Sequence, residues 1–164
     1  MKEKTTESKI EHLWTIICGS SSVDTDTNSL SLFNIIEEIT IQNVPGQSMN
    51  LNDKKGIPIP FEVVSCILRS QESDGKSIFV DLKIDFLDPD NKILQTVNSK
   101  VEIKSQHSRL RVRIKANGIT ITKPGIYNLL VSMKEDSEKE LKEVIKVPLI
   151  VKMPIPTDLN ILKK

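Results

Sequence analysis

Apolar and polar residues alternate with a period of two over long stretches of the chain. Val80, Leu82, Ile84 and Phe86 fall on one side of a segment whose other side carries Asp81, Lys83 and Asp85. A strand with one wet face and one packed face needs that alternation. The run RLRVRIK at 109–115 repeats it, with Leu110, Val112 and Ile114 inward, and so do Tyr127, Leu129, Val131 and Met133. Ile93, Val97, Val101 and Ile103 mark another strand. Residues 58–70 are apolar on both faces through Val63, Val64, Cys66, Ile67 and Leu68, which predicts a covered, central strand. HLWTIIC from His12 reads as the first strand, stopped by Gly19-Ser20-Ser21-Ser22. The last strand, 144–152, turns Val147, Leu149 and Val151 inward. Pro148 lies within it and cannot donate to a ladder, so an edge position is expected.

Residues 30–42 fit two patterns. Ile35, Ile39 and Ile41 suit a strand, whereas Leu32, Ile35, Ile36 and Ile39 also fit helical spacing. The β-branched content favours a strand. Turn signals separate the runs: VDTDTNS after Val23, a long polar loop with Pro45, Gly46 and Gly56, SDGK at 73–76, DPDNK at 88–92 and Asn117-Gly118. Pro124-Gly125 suits a turn in which glycine takes a positive φ. KEDSEKELKE at 134–143 reads as a solvated connection with room for one helical turn.

About eight short strands without strand–helix alternation predict an all-β fold. The expected architecture is an antiparallel β-sandwich, immunoglobulin-like or C2-like. It occupies residues 11–153, between a flexible N-terminus (1–10) and a C-terminal tail (154–164). The chain has 164 residues, which suits one domain with a core of its own. Aromatic residues make up only 4% of it, so aliphatic side chains must build that core.

Charge narrows the partners. With 23 basic and 22 acidic residues the chain has no long-range pull toward a polyanion. Neither nucleic acid nor a membrane surface is therefore expected as the main partner. No apolar run approaches the roughly 20 residues that span a bilayer. MKEKTTESKI is polar, without an apolar signal segment, which predicts a cytoplasmic protein and reduced thiols at Cys18 and Cys66.

Three segments carry a resemblance. SVDTDTNSLSLFNIIEEI, IPIPFEVVSCILR and KPGIYNLLVSM together resemble a family of uncharacterised prokaryotic and phage-associated proteins with a domain of unknown function. Its members run from an apolar first strand through a D-x-x-T-N-x-L-S-x-F-N-like segment to a P-G-x-Y hairpin, a likeness covering roughly residues 12 to 152. The resemblance implies a β-sandwich and carries over no catalytic or ligand residue.

Two constellations could carry chemistry. Asp24, Asp26 and Asn28 stand at alternate positions, as at the opening of a calcium loop. Calcium takes about six to eight oxygen ligands, and a sandwich could add Asp88 and Asp90. The glycine and glutamate of an EF-hand are replaced by Ser29 and Ile35, however, and Asp and Asn commonly cap turns. The second constellation is the basic strip Arg109, Arg111, Arg113 and Lys115 on one strand face. Guanidinium groups at two-residue spacing can clamp carboxylates or phosphates. The plainer alternative is a wet strand face paired with acids such as Glu102 or Asp81. No aromatic residue is interleaved there to stack bases. His12 and His107 lack further ligands at zinc spacing, and no phosphate-binding glycine loop or nucleophile elbow is present. Trp14 and Tyr127 read as core anchors.

These features favour a non-enzymatic protein-interaction or structural domain that needs no cofactor and binds a protein partner or its own copy. A calcium- or carbohydrate-binding sandwich and a small enzyme using loop carboxylates are the alternatives.

Overall fold

The structure, a computed structural model, describes residues 8–41, 56–57, 59–70 and 75–152. Ser73 and Asp74 of the expected Asp-Gly turn, the loop with Pro45 and Gly46, and both termini lie outside the described residues. The strands are β1 (Ile10–Val23), β2 (Leu30–Ile35), β3 (Glu38–Thr40), β4 (Gly56–Ile57), β5 (Phe61–Arg69), β6 (Ile78–Leu87), β7 (Ile93–Ile103), β8 (Arg109–Ala116), β9 (Ile119–Thr120), β10 (Gly125–Glu135) and β11 (Lys142–Lys152). Eight of them have six residues or more, and no helix occurs among the described residues.

Two sheets make the sandwich, in the orders β2-β1-β5-β8 and β3-β11-β10-β6-β7. The short strands β4 and β9 pair antiparallel in a separate two-stranded ladder. Pairing is antiparallel except between β3 and β11, so the second sheet is mixed. The alternating residues do what their period demands: Val80, Leu82, Ile84, Leu129, Val131 and Met133 face Ile17, Val63 and Ile67 across the core. β5 lies between β1 and β8, as its two apolar faces require.

Four local expectations are corrected. The first strand does not stop at Gly19 but runs on to Val23. Of residues 30–42, the described part, 30–41, forms two strands with a break at Ile36 and Glu37, and β3 crosses to the other sheet. β11 is not the outermost strand, because its end at Ile150–Lys152 is covered by β3; Pro148 precedes that covered end. The 134–143 connection holds no helical turn, since β10 extends to a buried Glu135.

Tyr127 anchors one corner. It is fully buried, stacks on Phe86 at 5.6 Å, and its hydroxyl accepts the Thr122 and Lys123 amides while donating to the Lys123 carbonyl. Gly125 opens the same strand at φ 143°, with Pro89 so near that a Cβ would lie 2.8 Å from its Cγ.

Candidate functional site: an arginine cleft on the four-stranded sheet

Register fixes which side chains share the outer face of the first sheet. Trp14, Ile16 and Cys18 of β1 pair with Cys66, Val64 and Glu62 of β5. Those three pair in turn with Arg111, Arg113 and Lys115 of β8, and Leu68 pairs with Arg109. The four cations thus stand in one row along the sheet edge, beside an apolar strip.

The β1–β2 hairpin doubles back over that strip. β1 pairs with β5 only as far as Cys18, opposite Glu62, and then continues with β2 alone. Unbent, at roughly 3.3 Å per residue, its tip would project well past Glu62, away from Arg111. Instead Arg111 Nη1 donates to the Asn28 carbonyl at 2.8 Å and to its Oδ1 at 3.1 Å, although Arg111 stands opposite Cys66. Arg113 Nη1 reaches the Ser21 carbonyl at 3.5 Å, and the Ser21 hydroxyl donates to the Glu62 carboxylate. The bend falls where Gly19 lies against Asn34, whose φ is 54°; a Cβ on Gly19 would come within 3.3 Å of the Asn34 Cβ. The hairpin explains why Val64 and Cys66 are 0% and 1% exposed although they face away from the inter-sheet core.

Between the hairpin tip and the start of β8 lies an open cleft of about 540 Å³, lined by Val23, Asn28, the Gln106–Ser108 turn, Arg109, Arg111 and Arg113. Among the described residues no carboxylate lines it. The Arg109 side chain makes no hydrogen bond or ion pair among the described residues. Among the described residues the only carboxylate engaged with the row is Glu62, 3.7 Å from Lys115 Nζ at the far end. The Ser21 hydroxyl, and then Lys115 and Arg113, hold the Glu62 carboxyl below its ordinary pKa. The acids proposed as partners from sequence lie elsewhere: Asp81 pairs with Lys134, and Glu102 stands opposite Phe79 on the other sheet. That sheet's outer face matches its charges, through Lys83–Asp85, Lys134–Asp81 and Lys100–Asp136.

The other sequence candidates do not converge. Asp24 Oδ1 accepts the Asp26 and Thr27 amides at 2.9 and 2.8 Å, closing the hairpin turn, and these bonds lower its pKa. Asn28 belongs to Arg111. Asp88 Oδ1 accepts the amides of Asp90 and Lys92 at 2.9 and 2.8 Å, and the Asp90 carboxylate pairs with Lys123. Among the described residues no three His, Cys, Asp or Glu side chains gather at metal-binding range. His12 contacts the Thr15 hydroxyl at 2.8 Å, whereas His107 lines the cleft. Trp14 is only half-buried, on the outer face and not in the inter-sheet core. Sequence reasoning found the arginines and Asn28 but not Val23, Gln106 or His107, because only the fold-back brings the hairpin to the β7–β8 turn.

Fold and cleft together define an all-β sandwich with a basic recess on one sheet face. No family model matches the chain, and no curated protein matches it in sequence. Among solved structures it is similar to the C-terminal domain of wzt, with a TM-score of 0.53, 8% identity, and coverage of 91% of this chain and 77% of that one. At that identity the likeness is one of fold. No helix among the described residues is long and apolar enough to cross a membrane.

Proposed function

We propose that the chain is a non-enzymatic interaction domain of the cytoplasm whose arginine cleft receives acidic side chains of a protein partner. The observation that carries this reading is the cleft lining, which among the described residues holds three arginines, one histidine and no carboxylate. Guanidinium groups bind carboxylates in planar, bidentate fashion. A cleft walled by low-dielectric protein also strengthens their field. The balance of +1 over the whole chain makes this concentration of charge local. Nucleic acid is the weaker fit, because the positive surface is one strand wide and β8 carries no aromatic residue to stack bases.

The test is a fluorescence polarisation titration with a labelled glutamate-rich peptide, a lysine-rich control and single- and double-stranded oligonucleotides. The glutamate peptide is expected to bind, and Arg109→Glu with Arg113→Glu to weaken it at least tenfold. Binding confined to the oligonucleotides and lost in the same variant refutes the reading.

A second contact, with another copy of the chain, is favoured by β2. It is the opposite edge of this sheet, and Phe33 and Ile35 are 50% and 57% exposed there. Leu32 and Ile36, partly buried, are poorer probes of it. Sedimentation should show Phe33→Lys with Ile35→Lys converting dimer to monomer with the fold unchanged; a wild-type chain that stays monomeric at high concentration removes this contact.

A further inference from the structure

The cleft opens onto the backbone of an edge strand. β8 is the last strand of its sheet, and no strand lies beyond it among the described residues. Its eight residues pair with β5 without a break in register. The other edges are less suited to receive a strand. β2 carries Asn34 at positive φ, β3 has three residues, the length of β11 that β3 leaves uncovered contains Pro148, and the ladder of β7 shifts register at Phe86–Leu87. A straight edge with free amides and carbonyls is a template for another strand.

The side chains of β8 specify what that strand must be. On the outer face Arg109, Arg111, Arg113 and Lys115 repeat with a period of two. A second copy of β8 laid against them would bring like charges together, which disfavours self-pairing. On the inner face Leu110 and Ile114 pack against the core yet stay half-exposed at the edge, whereas Val112 between them is buried. An incoming strand with aliphatic side chains on that face would complete their cover. One with carboxylates on the other face would meet the arginine row and fill the cleft.

We infer that the partner engages this site as an extended segment of alternating acidic and aliphatic residues, added to the four-stranded sheet along β8. This rests on the reading of the cleft as an acidic-partner site and states how the partner arrives. Backbone pairing supplies the template, the arginines set the charge pattern, and the hairpin tip at Asn28 closes the outer wall.

A labelled octapeptide alternating Glu and Val is the probe, with the full chain as receptor. An added strand uses only one of its edges, so its amides divide into two alternate sets, one facing β8 and one facing solvent. N-methylation of one set is expected to weaken binding at least tenfold and of the other less than threefold. Hydrogen exchange at β8 amides should slow in the complex, and a Lys–Val peptide should not bind. Equal binding of both methylated peptides, with β8 exchange unchanged, overturns strand addition while leaving the cleft an acidic-partner site. No binding of any acidic peptide overturns that underlying reading as well.

Discussion

Removing a single oxygen tests the corner that holds β10. In Tyr127→Phe the ring stays stacked on Phe86 and fully buried, so the change isolates the hydroxyl. That hydroxyl accepts two amides, from Thr122 at 2.9 Å and Lys123 at 3.1 Å, and donates to the Lys123 carbonyl at 2.8 Å. Each intramolecular hydrogen bond contributes about 0.5–1.5 kcal/mol net, and more when its loss strands a buried group. Thr122 and Lys123 are only half-buried, so water replaces part of what is lost. The expected destabilisation is therefore about 2–3 kcal/mol, within the lower half of the three-bond sum. For a domain of this size each kcal/mol moves the midpoint by about 2–4 °C, so melting should fall by about 4–12 °C. Urea denaturation should show a lower midpoint at an unchanged slope, because the surface exposed on unfolding is the same. A loss below about 0.5 kcal/mol would refute the assignment of the corner to the hydroxyl.

Gly125→Ala should cost about 2–4 kcal/mol, combining an unfavourable positive φ with overpacking against Pro89; a circular dichroism melt within 2 °C of wild type, about half a kcal/mol, would contradict this. Cys18 and Cys66 should react slowly with alkylating reagents and show no mass loss from a disulfide, because both are buried and burial raises their thiol pKa. They also lie on the same sheet face four residues out of register, roughly 13 Å apart along the strands, too far for a bridge. The Asp24 carboxylate has a pKa below its unfolded value, so its support for the hairpin turn is complete above about pH 4 and is lost as pH falls through the lowered folded value. Amide exchange measured at Asp26 and Thr27 should quicken relative to the rest of the domain over that acid range; a turn equally protected at pH 2 would exclude Asp24 as its clasp.

Where structure is written in local period, it was legible. The alternation in 78–86, 109–115 and 127–133 yields β6, β8 and β10 with their inward faces as read. The double-sided apolar run at 61–69 yields the central strand. Gly19-Ser20-Ser21-Ser22 misled because small polar residues break most strands. Here they continue one, and glycine is where it bends, since space against Asn34 is short. The arginine row was visible as charge, but its setting was not. Asn28 and Arg111 are 83 residues apart, and no periodicity encodes their meeting.

The doubled-back hairpin also separates two tasks along the chain. The inter-sheet core is built largely from strand residues, whereas the wall of the cleft is set by how far the tip at 24–29 reaches. Lengthening or shortening the tip by a residue or two would move Asn28 along the arginine row and reshape the recess, leaving every core side chain in place. Such a loop can diversify quickly between related chains, and recognition can drift from partner to partner on an unchanged scaffold.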